Sequence, residues 1–251
     1  MRLYYMTTLE TLETFILSEL RIRLSTFDKV NDPFELLGIR HENKKGRRHF
    51  EALFKHWVNT VGFISFTDNW KSPLMWGHYT NNHTGVCLGI EIPEERVLKV
   101  DYHKERLDSL LNITPREAAF SEDFKKKVIT TKFSDWSYER EWRYVKDLEY
   151  KDSNIGLYYE DFSPDFELRE IIAGARCPRS LHNIRKQVFA NTETIKMFKV
   201  RAAFQTFNMV KQQNQEELTI SPLHQVNGLN NWVKKQGRSP IISNTQSTGP
   251  E

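Results

Sequence analysis

The sequence predicts an α+β domain over residues 1–210 and a polar extension over residues 211–251. Three observations carry that expectation. Stretches whose apolar residues alternate, as on a half-buried strand, are interspersed with stretches whose apolar residues recur every three or four positions, as on an amphipathic helix. Hydrophobic residues make up 39% of the 251 and aromatic residues 12%, which suits a folded core and not a disordered chain. Past about Lys211 the chain turns Gln- and Asn-rich, and residues 237–251 are polar with Gly and Pro, which predicts disorder there.

Taken in order, residues 3–6 predict a short strand. Thr7 or Thr8 is placed to cap a helix carrying Leu9, Leu12, Phe15, Ile16 and Leu20. Arg21-Ile22-Arg23-Leu24-Ser25 alternates again. Asn31-Asp32-Pro33-Phe34-Glu35 reads as a turn: Pro33 disfavours helical backbone at Asp32, and Asn and Asp side chains bond nearby amides. Asp32 and Glu35 also have the chemistry for an active site, turn chemistry being the expected use. Lys44, Lys45, Arg47 and Arg48 form the densest basic run. It is expected to lead, as a solvated loop, into an amphipathic helix with Phe50, Leu53, Phe54, Trp57 and Val58, and it offers phosphate contacts to RNA or DNA.

Gly62-Phe63-Ile64-Ser65-Phe66-Thr67-Asp68 predicts a strand with Ser65 and Thr67 on one face. Ser72-Pro73 starts a short helix through Trp76 and Tyr79, whose spacing suits either core packing or a ring-stacking floor. Asn81-Asn82-His83-Thr84-Gly85 turns the chain into a buried strand, Val86-Cys87-Leu88-Gly89-Ile90-Glu91-Ile92. Residues 97–102 predict a strand, 104–128 a helix interrupted near Pro115, and 139–145 a strand. Residues 166–174 read as strand and turn, 180–189 as a helix, and 195–200 with 203–210 as late strands.

The charge balance, 36 basic against 33 acidic residues, gives a formal +3 and only a weak pull toward polyanions. Cys87 and Cys177 lack CxxC spacing, and the eight histidines form no short metal motif, so neither a disulfide framework nor a metal is expected. Polar residues break every apolar run in MRLYYMTTLETLETFIL; the expectation is a cytoplasmic protein with no membrane partner.

The segment Tyr138-Glu139-Arg140-Glu141-Trp142-Arg143 carries the most chemistry. In a strand from 139 to 145, Glu139, Glu141 and Arg143 share one face, beside Trp136, Tyr138 and Trp142. On a solvent face such a row needs no function, and Arg143 pairing with Glu141 would make it structural. Lining a cleft, the same carboxylates suit stabilisation of a cationic transition state.

Tyr4-Tyr5-Met6-Thr7, Asn31-Asp32-Pro33-Phe34-Glu35, Ser72-Pro73-Leu74-Met75-Trp76-Gly77-His78-Tyr79, Gly85-Val86-Cys87-Leu88-Gly89 and the Glu139–Arg143 row resemble, over about residues 3–180, a prokaryotic family catalogued as domain of unknown function 2971. More distantly, the Gly62 to Asp68 strand, the helix ending at Tyr79 and the Glu-x-Glu of Glu139 and Glu141 resemble the ADP-ribosyltransferase superfamily. That resemblance implies a split, mixed or antiparallel sheet with flanking helices and NAD as ADP-ribose donor. It implies Glu141 as the carboxylate at the reacting ribose and Glu139 as the acceptor-side residue. Tyr5, Thr7, Ser65, Trp76, Tyr79 and Arg143 would bind NAD, Tyr5 standing where these transferases carry His or Arg. The implied activity is ADP-ribosyl transfer to a nucleic acid or protein, in a toxin or antiphage effector with a neutralising antitoxin as partner. The alternatives are a non-catalytic module binding a nucleotide, RNA or protein, and an NAD glycohydrolase.

Overall fold

The alternating segments pair into strands in the computed structural model, which describes residues 1–40, 44–108, 121–149, 151–153, 156–188, 194–215 and 217–221. In chain order the strands are β1 (Arg2–Thr7), β2 (Arg21–Arg23), β3 (Val61–Thr67), β4 (Val86–Glu91), β5 (Val97–Lys99), β6 (Asp101–His103), β7 (Thr131–Phe133), β8 (Glu141–Asp147), β9 (Tyr159–Asp161), β10 (Glu167–Ala173), β11 (Ile195–Ala202), β12 (Met209–Lys211) and β13 (Leu218–Ile220). The helices are α1 (Leu9–Thr11, continued by Leu12–Ile16 in wider π geometry and Leu17–Glu19), α2 (Lys44–Thr60), α3 (Pro73–Tyr79), α4 (Glu122–Thr130) and α5 (Leu181–Arg185). The chain is thus α+β, with short helices around a mixed sheet.

The main sheet has nine strands in the order β12-β11-β10-β4-β1-β3-β8-β5, with β13 also on β11. Its pairs are antiparallel except β10 with β11. Where β1 meets β3 the register holds a single Cα pair, Tyr4 with Thr67, whereas β1 and β4 hold six. The main path's two halves are therefore joined at one point, and beyond it β1 and β3 are no longer paired, Phe63 of β3 instead exchanging backbone bonds with Ser25.

Register and side-chain alternation assign the faces. On one face Leu3, Ile64, Phe66, Leu88 and Ile90 pack with Leu12, Ile16 and Leu17 of α1 and Leu181 and Ile184 of α5. On the other face two separate clusters form. One joins Met6, Cys87, Ile172 and Met209 to Met75 and Trp76 of α3. The second joins Phe63 to Phe50 and Trp57 of α2 and to Phe124 and Val128 of α4. Between those clusters the same face is polar, carrying Thr67, Ser65, Glu141 and Arg143 through the β3–β8 pairs Thr67 with Glu141 and Ser65 with Arg143.

Local signals behave as read for two caps. Thr8 accepts from the amide of Thr11 at 3.0 Å, and Ser72 caps α3 with Pro73 at its first position. Elsewhere tertiary bonds override the sequence pattern. Residues 104–108 are not helical: the Leu107 amide donates to Gly38 O and the Arg40 amide to Leu107 O, both at 2.8 Å, drawing the segment out beside Ile39. The rest of that expected helix survives only as α4, residues 109–120 lying outside the described residues. Residues 97–102 break into β5 and β6, in different sheets, where the Val100 amide turns to Glu141 O. The expected strand over residues 203–210 is a loop until Met209, and the expected helix over 180–189 spans only Leu181–Arg185. The sheet also runs past the expected boundary at residue 210, since β12 ends at Lys211 and β13 pairs with β11. Residues 222–251, including the tail expected to be disordered, lie outside the described residues.

One backbone crossing is tight enough to test. The Gly174 amide donates to Gly85 O at 2.9 Å, and a Cβ on Gly174 would fall 2.2 Å from His83 O. Backbone cannot swing aside as a side chain can. Gly174→Ala should cost roughly 1–3 kcal/mol, seen as a lower urea midpoint with an unchanged slope.

Candidate active site

The Glu139–Arg143 row enters the protein differently from a plain strand. Glu139 ends a 3-10 turn, Ser134–Glu139, and Arg140 follows in left-handed backbone with φ 49° before β8 begins at Glu141. The expectation of one strand from residue 139 is corrected accordingly. The kink still brings Glu139 and Glu141 to the same cation: Lys132 Nζ, on β7, donates to Glu139 Oε2 at 2.5 Å and to Glu141 Oε2 at 2.8 Å.

Arg143 completes the network from β8. Its Nε and Nη2 donate to Glu141 at 2.8 and 3.0 Å, and its Nη1 and Nη2 form a fork on Glu35 at 2.6 and 3.0 Å. Nη1 also reaches Ile129 O at 2.6 Å. Arg143 is 1% exposed, Glu141 2%, Glu139 4% and Glu35 5%. Charges this deep persist because each is paired and hydrogen-bonded. Three carboxylates (Glu35, Glu139, Glu141) against two cations (Lys132, Arg143) leave the cluster formally one negative charge in excess.

The two row carboxylates are not equivalent. Glu141 accepts from Ser65 Oγ at 2.6 Å, from Lys132 and twice from Arg143, which fills the roughly four acceptor positions of a carboxylate. Its own amide donates to Tyr102 Oη at 2.7 Å. Burial alone would raise its pKa, but the charges of Arg143 and Lys132 override burial and hold it at about 2. Glu139 accepts, among the described residues, from Lys132 and from the Tyr79 hydroxyl, which leaves acceptor capacity facing the groove. Burial, with the Glu139 charge adding to it, raises the Tyr79 phenol far above its ordinary value, so Tyr79 is a donor and not a base. For Lys132 burial acts to lower the pKa, and the charges of Glu141 and Glu139 reverse that; it stays an ammonium.

Above this floor lies a groove of about 310 Å³, near the lower limit of small-molecule sites. Tyr5, Ser65, Tyr79, Glu139, Glu141 and Arg143 all line it, together with Tyr4, Phe63, Phe66, Met75 and the 29–31 loop. Tyr5 meets Phe66 edge-on at 6.1 Å, and burial raises its phenol pKa. Thr7 and Trp76 do not line the groove. Thr7 is buried at the end of β1, and Trp76 is fully buried in the α3 cluster with its indole N–H donating to Trp70 O at 2.6 Å. Their expected contact with a ligand is corrected to core packing. Lys44, Lys45, Arg47 and Arg48 form the exposed first turn of α2, where a loop was expected, and do not line the groove.

Residues 75–144 match the model of a family described as "Protein of unknown function (DUF2971)". The match takes in Tyr79, Lys132, Glu139, Glu141 and Arg143, and leaves Tyr5, Glu35 and Ser65 to its N-terminal side. No curated protein and no solved structure matches the chain. No described helix is long and apolar enough to cross a membrane, and no group of three His, Cys, Asp or Glu suited to a metal occurs among the described residues.

Lys132 escaped the sequence reading, and Glu35, which has active-site chemistry, was expected to serve its turn. Lys132 is a lone lysine in a short strand, and its carboxylate partners Glu139 and Glu141 lie seven and nine residues away. Glu35 belongs to the Asn31-Asp32-Pro33-Phe34-Glu35 turn, whose expected chemistry falls to Asp32: its Oδ1 accepts from the Phe34 amide at 2.9 Å. That turn frees Glu35 to reach inward.

The cluster makes acid stability testable. Glu141 is held at about 2 in the folded state against an ordinary 4.5, so its contribution is complete above about pH 4.5 and is lost as pH falls toward 2. Unfolding free energy measured from pH 6 to 2.5 should drop over that window, and less steeply in Glu141→Gln.

Proposed function

We propose that the chain is an NAD-dependent ADP-ribosyltransferase acting on a macromolecule. The observation that carries this reading is the convergence of Tyr5, Ser65, Tyr79, Glu139 and Glu141, from five separate elements, on one aromatic-walled groove with an anionic floor. In the reaction the bond between nicotinamide nitrogen and ribose breaks, its electron pair leaves with nicotinamide, and positive charge builds on the sugar. A fixed floor whose buried cluster formally carries one excess negative charge, with Lys29 of the lining paired to Asp28, lowers the energy of that state more than that of the reactant. Glu141, locked by four donors, supplies the field. Ser65 presents its hydroxyl oxygen, and Glu139 takes the proton as the acceptor's nucleophile forms the new bond to ribose. Tyr5 and Tyr79 supply ring faces for the nicotinamide end.

A second reading rests on the same carboxylate. Because Arg143 and Lys132 occupy Glu141 fully, the groove also suits a module that binds a nucleotide without turning it over. Purified protein incubated with labelled NAD and prokaryotic cell extract separates the readings. Label on macromolecules with release of nicotinamide supports transfer. Nicotinamide release without label selects hydrolysis, and NAD binding without release selects the binding module. Folded protein that neither binds NAD nor transfers label would refute the proposal.

A further inference from the structure

The β11–β12 hairpin carries an exposure that the groove does not use. Phe204 and Phe207 are 91% and 98% exposed at its tip, a costly way to leave two large rings. The hairpin is held at its base by Ala203 N to Asn208 O at 2.9 Å, and Met209 N donates to Lys71 O at 2.8 Å, just before α3. The Arg201 guanidinium stacks over Phe204 at 4.5 Å. Behind the tip, Phe198 and Trp70 meet edge-on at 5.7 Å, with Lys211 over Phe198 and Lys71 over Trp70 at 5.5 and 5.7 Å. Trp70, Phe198 and Tyr4 pack on one cluster, and Tyr4 lines the groove. From Ile195 to Gln215 the chain carries Lys196, Lys199, Arg201 and Lys211 and no acidic residue. Glu217, just beyond, pairs with Lys211.

We infer that this hairpin is a stacking platform for single-stranded nucleic acid and directs the strand along Phe198 and Trp70 to the groove. Bare ring faces interleaved with cations are what unpaired bases and their phosphates require, and every base has a face to stack. The amides of Gln205, Asn208 and Gln212 meet base edges; against a lipid surface they would have to be desolvated, and a duplex hides the faces the rings need. Naming the strand as the ADP-ribose acceptor rests on the transferase reading; the binding itself does not.

Anisotropy of a fluorescent 12-nucleotide single strand tests it, with the same sequence as a duplex and vesicles of anionic lipid as comparisons. The full chain should prefer the single strand. Phe204→Ala with Phe207→Ala should weaken binding by at least about tenfold at every salt concentration. Arg201→Gln with Lys211→Gln should flatten the slope of log affinity on log salt by about 1.4, at roughly 0.7 for each phosphate contact on a single strand. Both rings are exposed, so melting temperature should not move. These binding measurements contain no NAD, which keeps this result separate from any failure of catalysis. Equal binding by the double Phe variant, preference for the duplex, or sedimentation with vesicles in place of strand binding would overturn the inference.

Discussion

Arg143→Met should lower the free energy of unfolding by about 3–5 kcal/mol, the usual consequence of removing one partner of a buried ionic network. The side chain is 1% exposed and bonds both Glu35 and Glu141. Methionine fills much of the volume but leaves two buried carboxylates, of which Glu35 then has no cation among the described residues. One of them must protonate or draw in water. Urea unfolding at pH 7 reads the loss. It should shrink as the pH is lowered to 4, because protonation relieves the unpaired charge in the variant before it harms the parent. Replacing Glu35, Glu141 and Arg143 together by apolar residues should be milder than Arg143→Met alone, since no orphaned charge remains.

The second large effect falls on activity. Glu139→Gln keeps the shape and the hydrogen bond from Lys132 while removing the excess negative charge and the base. Nicotinamide release should fall by about 10²–10⁴-fold, with NAD affinity little changed. Tyr79→Phe removes only the donor to Glu139 and should cost less. Glu141→Gln should lose both stability and turnover, because it takes one carboxylate from Lys132 and from Arg143 at once, leaving them Glu139 and Glu35.

The fold was legible wherever a signal is local. Alternation marked β3, β4 and β10, and Thr8, Ser72 and Pro73 marked helix starts as the structure has them. What was hidden depends on distant partners. Residues 104–108 are held extended by Gly38 and Arg40, and nothing in their own spacing announces it. The site followed the same division. Ser65, Glu141 and Arg143 share one face because strand pairing carries their alternation across β3 and β8, whereas Tyr5 joins the groove from β1, Tyr79 from a helix and Glu139 from a turn. Trp76 shared a helical face with Tyr79, yet one turn decides core against groove. Lys132 enters from another element, so only the folded chain shows it, and Glu35 was weighed in the sequence but expected to serve its turn. The sequence also ranked Glu141 above Glu139 as the working carboxylate, and counting donors in the structure reverses the emphasis: Glu141 is held, Glu139 has capacity left.

The central claim is that the anionic floor drives cleavage of the nicotinamide–ribose bond. It is tested most directly by nicotinamide release from saturating NAD with the parent chain and with Glu139→Gln, in preparations that bind NAD equally. The account predicts release by the parent and a loss of at least a hundredfold in the variant. Equal release by both, or none from a parent chain that binds NAD, would contradict it.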